Sequence, residues 1–242
     1  MKVEEVEYEA GGRRFIGALV YDETSQAARP LMLMAPNWLG VTKEAIERTK
    51  ELVGSNYVGL VADMYGDGKT SDGPPESAEL ADALRRIPQE RRLRIAAALE
   101  ALIAESRKRG IGDASRVAAV GFCFGGGNVL ELARTGAKVA ATLCLHGDLT
   151  TIAPPVRPGT ITSNLLVLHG SADPAADKGQ RDDVEMDAAK AKWQMLVFGG
   201  LLHSFSEVEA NVPGIAEYNE PAARQSYRLL QQFIEDAFAR RL

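Results

Sequence analysis

The hydrophobic pattern changes along the chain. Near the N-terminus, apolar residues recur between glutamates over residues 3–8, and a second stretch, residues 14–21, follows a Gly11-Gly12 turn. Two short strand-like segments joined by a turn of this composition are typical of a hairpin. The chain is therefore predicted to open with an antiparallel β-hairpin.

Continuous apolar runs replace this pattern after the hairpin. Strands that are buried on both faces, as in a parallel sheet, show such runs. The runs cover residues 31–34, 58–61, 117–120, 139–145, 165–168 and 195–198. Helical spacing of apolar residues separates most of them, most clearly over residues 90–104 and 221–240. The pattern predicts an α/β fold with a mostly parallel central sheet of about eight strands and helices on both faces.

Composition narrows the classes of protein. The 242 residues are 45% hydrophobic and 25% charged, which fits a single domain over residues 1–242. A net charge of −5 offers no basic surface for nucleic acid. The N-terminus lacks the apolar core of a signal peptide, and no apolar run is long enough to span a bilayer. We expect no nucleic-acid or membrane partner, and two cysteines suit a reducing cytoplasm.

A cysteine lies in a glycine-rich turn. The sequence Gly-Phe-Cys-Phe-Gly at residues 121–125 follows an apolar run and precedes a predicted helix start. Glycines fit a tight strand-to-helix turn because a Cβ beside the central residue would clash with the adjacent strand or helix. Cys123 would then lie at a helix N-terminus, which favours a thiolate. The pattern indicates a nucleophile elbow, and a buried structural cysteine is the alternative.

A thiol nucleophile needs a base and an acceptor that orients the base. His203 is one of three histidines and lies in a loop directly after the last apolar run. Asp173 lies in the turn after residues 165–168, where Pro174 blocks continuation of the strand. The order nucleophile, acid, base is that of α/β-hydrolases. Cys123, Asp173 and His203 are the predicted triad.

Other residues compete for these roles. Asp177 is a rival acid, but it lacks the immediate strand-to-turn context of Asp173. His146 could approach the pocket, although a strand-end histidine bonded to backbone is the favoured interpretation. Cys144 and His146 would share a strand face, yet two ligands without further partners make a weak metal site. No metal and no cofactor are expected.

These motifs resemble the dienelactone hydrolase family, the cysteine-nucleophile branch of the α/β-hydrolase superfamily. The similar segments are residues 35–41, 61–66, 121–125, 169–174 and 199–205. The resemblance implies an α/β-hydrolase fold with Cys123 as nucleophile, His203 as base and Asp173 as the orienting acid. It also implies an oxyanion hole formed by the backbone N–H groups of Phe124 and Trp38.

Two positions depart from the pattern of that family. Asn37 stands where the family has a glutamate that is implicated in activating the cysteine, and an amide cannot take up a proton. Glu207 stands where the family has an arginine that contacts the substrate carboxylate. A glutamate there would repel a carboxylate. We therefore expect the reaction class to be shared and neutral substrates to be preferred.

The expected function is hydrolysis of a small ester, lactone or thioester through an acyl-enzyme. The candidate substrate contacts are Asn37, Trp38, Tyr65, Phe205 and Glu207. A catalytically silent ligand-binding protein of the same fold is the main alternative. A thiol redox protein and a cysteine peptidase are two further alternatives from other classes.

Overall fold

The computed structural model describes residues 1–25, 27–175 and 180–242. The main strands are β1 (Lys2–Ala10), β2 (Arg13–Tyr21), β3 (Arg29–Ala35), β4 (Val58–Val61), β5 (Gly112–Phe122), β6 (Ala141–Leu145), β7 (Asn164–Gly170) and β8 (Lys192–Phe198). The helices are α1 (Lys43–Val53), α2 (Glu76–Arg85), α3 (Pro88–Arg109), α4 (Phe124–Arg134), α5 (Gln180–Ala188) and α6 (Glu220–Phe238). Two short strands, β9 (Asn211–Val212) and β10 (Ala216–Glu217), form a separate antiparallel pair.

The strands form an eight-stranded sheet in the order β1-β2-β4-β3-β5-β6-β7-β8. The predicted fold class is confirmed, because the sheet is mostly parallel, helices connect most of its strands, and the chain opens with an antiparallel hairpin. Each of the six predicted apolar runs falls largely within a strand. By contact pattern the chain divides into two compact units, Met1–Ala119 and Val120–Leu242, and the single domain over residues 1–242 stays a prediction.

The N-terminal unit is built on the hairpin. Strand β1 pairs with β2 along its full length, and the connecting Gly11 and Gly12 adopt φ angles of 56° and 73°. Both angles lie in the left-handed region that a tight hairpin turn requires and glycine tolerates. Strand β2 pairs antiparallel with β4, and β3 pairs parallel with β4. Helix α3 packs on this unit and ends at Gly110, which has a φ of 68°.

The C-terminal unit contains three adjacent parallel strands, β6, β7 and β8. Helix α4 begins directly after β5, is buried along its whole length and packs on β6. Helix α6 begins at the N-cap Asn219, whose side chain accepts a hydrogen bond from the N–H of Ala222. Its apolar face packs on β6 and β7. The first turn of α4 lies next to the carboxyl end of β5.

None of the helices in the described part of the chain combines the length and the apolar composition that a membrane crossing requires.

Candidate active site

Cys123 lies in the tight turn between β5 and α4. Its φ of 51° and ψ of −123° lie outside the ordinary helix and strand regions, so the surrounding structure must hold this backbone in place. A Cβ added to Gly121 would lie 2.1 Å from the carbonyl oxygen of Gly125, and any larger residue would therefore displace the turn. The N–H of Cys123 donates to the carbonyl oxygen of Leu145 on β6 at 3.1 Å. The predicted elbow geometry is present at this turn.

The structure brings Cys123, His203 and Asp173 together. The Nε2 atom of His203 lies 3.0 Å from the Sγ atom of Cys123, and its Nδ1 atom lies 2.8 Å from Oδ2 of Asp173. The other carboxylate oxygen of Asp173 accepts a hydrogen bond from the N–H of Ala175 at 2.8 Å. The Asp173 side chain is fully buried, and the His203 side chain is 14% exposed. Such a line of atoms can pass a proton between the sulfur and the imidazole while the carboxylate holds the ring.

The backbone of His203 is fixed by the segment that follows it. The N–H of His203 donates to the carbonyl oxygen of Ile215 at 3.1 Å, and the N–H of Glu217 donates to the carbonyl oxygen of His203 at 3.2 Å. His203 thus forms a bridge with Ala216 at the edge of the β9–β10 pair. The connection between β8 and α6 therefore positions the imidazole.

The charges around His203 shift its titration. Burial lowers the pKa of His203, but the charge of Cys123 and the hydrogen bond to Asp173 outweigh burial and raise the pKa to about 11. Burial likewise raises the pKa of Asp173, and the hydrogen bond and charge of His203 bring the pKa below its ordinary value. These directions favour an imidazolium beside the carboxylate of Asp173.

A second histidine contacts the first. His146 follows β6, is fully buried, and its ring meets the His203 ring edge-on with the centroids 5.5 Å apart. Its Nδ1 atom accepts a hydrogen bond from the N–H of Cys123 at 3.3 Å, and its Nε2 atom lies 2.7 Å from Oγ of Ser206. The sequence predicts a histidine bonded to backbone here. The structure adds that this backbone is that of the candidate nucleophile, which no local motif indicates.

Glu207 is buried and belongs to the same group of side chains. Its Oε1 atom accepts a hydrogen bond from Oγ of Ser204 at 3.2 Å and lies 3.8 Å from Nδ1 of His146. The carbonyl oxygen of Ser206 accepts a hydrogen bond from the hydroxyl of Tyr227 on α6 at 3.1 Å. We call His146, Ser204, Ser206 and Glu207 the His146 cluster. Contact between Glu207 and substrate stays a prediction.

Phe205 is fully buried beside the His146 cluster. The centroid of its ring lies 5.3 Å from that of His146 and 5.1 Å from that of Phe198. Core packing therefore accounts for the position of Phe205, and its contact with substrate stays a prediction.

The remaining candidate contacts lie in the N-terminal unit. The side-chain oxygen of Asn37 accepts a hydrogen bond from the N–H of Leu39 at 3.0 Å. The hydroxyl of Tyr65 donates to the carbonyl oxygen of Trp38 at 2.7 Å, and the buried carboxylate of Asp63 accepts a hydrogen bond from the N–H of Tyr65 at 2.8 Å. These bonds tie the loop after β3 to the loop after β4. The roles of Asn37, Trp38 and Tyr65 toward substrate stay predictions.

Two further polar residues in this part of the sequence are His169 and Asp177. His169, at the end of β7, is buried, and burial lowers its pKa. Its Nδ1 atom is buried without a hydrogen-bond partner among the described residues. Asp177, the rival acid, lies outside the described residues. Within residues 1–25, 27–175 and 180–242, no group of three or more His, Cys, Asp or Glu side chains could hold a metal ion.

Several known proteins are similar to this chain. The model of the dienelactone hydrolase family matches residues 16–238. The dienelactone hydrolase-like promiscuous phosphotriesterase P91, from metagenomic libraries, is 32% identical with a TM-score of 0.85, and the match covers 98% of both chains. The structure named m3DLH is also 32% identical, with a TM-score of 0.88 and the same coverage. In Salmonella typhimurium, a protein named "Putative carboxymethylenebutenolidase" is 23% identical over 224 residues, which are 88% of this chain and 80% of that protein.

Proposed function

Because the chain belongs to the dienelactone hydrolase family and is a hydrolase that acts on ester bonds, we propose that it cleaves a small ester, lactone or thioester through a Cys123–His203–Asp173 triad. One observation carries the proposal. The thiol, the imidazole and the carboxylate form a continuous line with separations of 3.0 Å and 2.8 Å. This is the geometry in which a base activates a nucleophile and an acid orients the base.

In the first half of the proposed reaction, the thiolate of Cys123 attacks the carbonyl carbon of the substrate. His203 holds the proton that came from the thiol. The bond from the carbonyl carbon to the leaving oxygen or sulfur breaks, and His203 gives its proton to that leaving atom. Asp173 keeps the imidazole oriented and balances its charge. The product of this half is an acyl group bound to Cys123 as a thioester.

In the second half, water releases the acyl group. His203 takes a proton from water, and the oxygen attacks the thioester carbon, after which the carbon–sulfur bond breaks and the carboxylic acid leaves. The negative oxygen that forms in each half needs hydrogen-bond donors. We assign this role to the backbone N–H groups of Phe124, the first residue of α4, and of Trp38.

The proposal extends to the substrate and the setting of the reaction. The proposed substrate contacts are Asn37, Trp38, Tyr65, Phe205 and Glu207. A buried glutamate near the triad favours neutral substrates over carboxylates, because a second negative charge there would be desolvated beside the first. The reaction uses no cofactor and takes place in the cytoplasm on a small molecule.

A panel of lactones, aryl esters and thioesters tests the proposal, with the Cys123→Ala variant as blank. An activated aryl ester is expected to release a burst of product that matches the enzyme concentration, because it acylates Cys123 faster than water hydrolyses the thioester. Ligand binding without turnover of any ester would instead support a catalytically silent binding protein. Turnover of peptides without turnover of esters would support a cysteine peptidase.

Phosphotriester hydrolysis is a second candidate activity. It is favoured by the name of P91, a promiscuous phosphotriesterase that is 32% identical over 98% of both chains. The same residues supply the chemistry, since the thiolate attacks phosphorus, the bond to an aryl oxide breaks, and His203 gives its proton to that oxygen. His203 then takes a proton from water, the water oxygen attacks phosphorus, and the sulfur–phosphorus bond breaks to release the phosphodiester. An aryl phosphotriester added to the panel tests this candidate. Release of the aryl group by the native protein and none by the Cys123→Ala variant is the expected result.

A further inference from the structure

His146 has an unusual backbone for a residue with a large side chain. Its φ is 37°, in the left-handed region that few residues other than glycine adopt, although asparagine, aspartate and histidine do so more often than the rest. The residue is nevertheless completely buried, and its N–H donates to the carbonyl oxygen of Leu168 on β7 at 2.7 Å. Strain of this kind persists only where the surrounding structure fixes it, and it concentrates at functional sites. The contacts of the two imidazole nitrogens give a functional reason for this backbone.

One nitrogen of the imidazole contacts the elbow. The Nδ1 atom of His146 accepts a hydrogen bond from the N–H of Cys123 at 3.3 Å. An imidazole nitrogen that accepts carries a lone pair, so the proton of the neutral ring lies on Nε2. That nitrogen lies 2.7 Å from Oγ of Ser206, to which it donates. The hydrogen bonds therefore select one tautomer of His146.

The ring is held from its other sides as well. Its edge-on contact with His203 brings the two histidines within 5.5 Å between centroids, and Phe205 and Phe122 contact it at 5.3 Å and 6.0 Å. Ser206 is fixed in turn, because its carbonyl oxygen accepts a hydrogen bond from the hydroxyl of Tyr227 on α6. The imidazole thus links a helix on one side to the backbone of Cys123 on the other.

We propose that His146 is a positioning residue for the nucleophile, which holds the N–H of Cys123 through Nδ1 and thereby keeps Sγ facing Nε2 of His203. The proposal rests on the proposed function for the catalytic step that it assists. The N–H of Cys123 is shared between Nδ1 of His146 at 3.3 Å and the carbonyl oxygen of Leu145 at 3.1 Å. Loss of Nδ1 therefore removes one of two restraints on a strained backbone and lets the sulfur move away from the base. A misplacement of about 1 Å in a reacting group costs roughly 100-fold in rate.

Two substitutions at position 146 separate the acceptor from the shape of the backbone. Asparagine and glycine both tolerate a positive φ, but only asparagine carries an oxygen where His146 carries Nδ1. We expect His146→Gly to lower kcat by about 10- to 100-fold with little change in KM, since the loss lies in positioning. We expect His146→Asn to recover most of that loss. The rate at which iodoacetamide alkylates Cys123 should follow the same order.

A third substitution guards against a failure to fold. Ser206→Ala leaves His146 in place and removes only the hydroxyl that faces Nε2, so we expect a loss of about 3- to 10-fold in kcat and in alkylation rate. Thermal melting on the same preparations reports stability. The proposal is overturned if His146→Asn is as impaired as His146→Gly. It is also overturned if the variants melt at lower temperature but keep native kcat and alkylation rate per folded molecule.

Alkylation distinguishes this proposal from the proposed function. If the native protein turns over no ester, the proposed function fails, yet the alkylation rates still show whether His146 controls the thiol. If the native protein is active and the alkylation rates of all variants equal that of the native protein, the proposed function stands and the role of His146 is refuted.

Discussion

Two histidine–carboxylate pairs lie side by side in the C-terminal unit. In one pair, Oδ2 of Asp173 lies 2.8 Å from Nδ1 of His203, and in the other, Oε1 of Glu207 lies 3.8 Å from Nδ1 of His146. The remaining nitrogen of His203 faces the sulfur of Cys123 at 3.0 Å, whereas that of His146 faces a serine hydroxyl at 2.7 Å. Both pairs combine an imidazole with a carboxylate, and they differ in what each imidazole contacts.

The two pairs differ mainly in the distance between the carboxylate and the imidazole. At 2.8 Å the carboxylate of Asp173 shares a hydrogen bond with the imidazole, and together with the charge of Cys123 it raises the pKa of His203. At 3.8 Å the contact of Glu207 with His146 is too long for a hydrogen bond, and Nδ1 accepts a backbone N–H instead. In the roles proposed above, the His203 pair moves a proton and the His146 pair holds the backbone of Cys123.

Removal of the Cys123 thiol should have the largest effect, and it tests whether the His203 pair acts through Cys123. The Cys123→Ala variant should lose all turnover above background, because no other nucleophile is proposed for the site. Iodoacetamide should label Cys123 well ahead of Cys144, which is fully buried in the core of the C-terminal unit. Peptide mapping of the labelled protein measures this. Full activity in the alanine variant, or equal labelling of the two cysteines, contradicts the assignment.

The next effect tests the carboxylate of the same pair. An Asp173→Asn variant should lose roughly 100- to 10,000-fold in kcat/KM, because an amide can hold the imidazole in the wrong tautomer and cannot balance its charge. Removal of this carboxylate also lowers the pKa of His203 from about 11. The imidazolium that protonates the leaving group is then lost at lower pH, so the alkaline limb of the rate profile should move to lower pH. Steady-state kinetics across pH measure both effects.

The control for this variant is its stability. If Asp173 only forms a turn, the variant should melt at lower temperature and keep its activity per folded molecule. Kinetics and melting on one preparation separate the two outcomes, and an unmoved alkaline limb contradicts the role given to the carboxylate.

The strands of the fold were predictable because burial shaped the sequence directly. A strand covered on both faces is apolar at every position, and this pattern located β3, β4, β6 and β7. The run at residues 195–198 also located β8, but the expectation that this strand is buried on both faces is wrong, because β8 is an edge strand on which Leu196 and Val197 are exposed. Strand β5 was predicted only in part. It begins at Gly112, five residues before the apolar run. The pattern misses this part because Ala114 and Ser115 are exposed and their composition resembles a loop. Sequence pattern marks the buried part of a strand and misses the part that leaves the core.

The candidate site divides in the same way. Cys123, Asp173 and His203 each follow an apolar run, so their shared position at strand ends could be read from the sequence. Burial of Glu207 could not, because it lies in a polar stretch whose composition indicates a solvated loop. The backbone bonds that tie His203 to the β9–β10 pair form only when this stretch folds back. Contacts that depend on such a return carry no local signal.

Removal of the charge of Glu207, in the second pair, should have a smaller effect. Replacing Glu207 with Gln keeps the shape of the side chain and removes its charge. The gap in kcat/KM between a neutral lactone and its carboxylated analogue should narrow by about fivefold, which corresponds to roughly 1 kcal/mol of repulsion. Glu209→Gln removes the same charge from an exposed position two residues away and serves as control. An unchanged gap in the Glu207 variant contradicts the proposed effect of this carboxylate on substrate preference.

The smallest effect concerns stability in acid and compares native protein with Asp173→Asn. The pKa of Asp173 lies below its ordinary value, because the hydrogen bond and charge of His203 outweigh burial. In acid the unfolded chain therefore takes up a proton before the folded chain does. The stability that results is complete above pH of about 4 and is lost as pH falls through the folded pKa. The difference in Tm between native protein and variant should accordingly narrow from about pH 5 toward about pH 3.

Asp113→Asn is a matched control outside the site, since hydrogen bonds from Ser115 and Arg116 lower the pKa of Asp113 to about 2. Its gap should narrow in the same direction. A constant Tm difference for Asp173→Asn beside a narrowing one for Asp113→Asn would show that the charge of Asp173 does not stabilise the fold. The two histidine–carboxylate pairs would then differ in geometry alone.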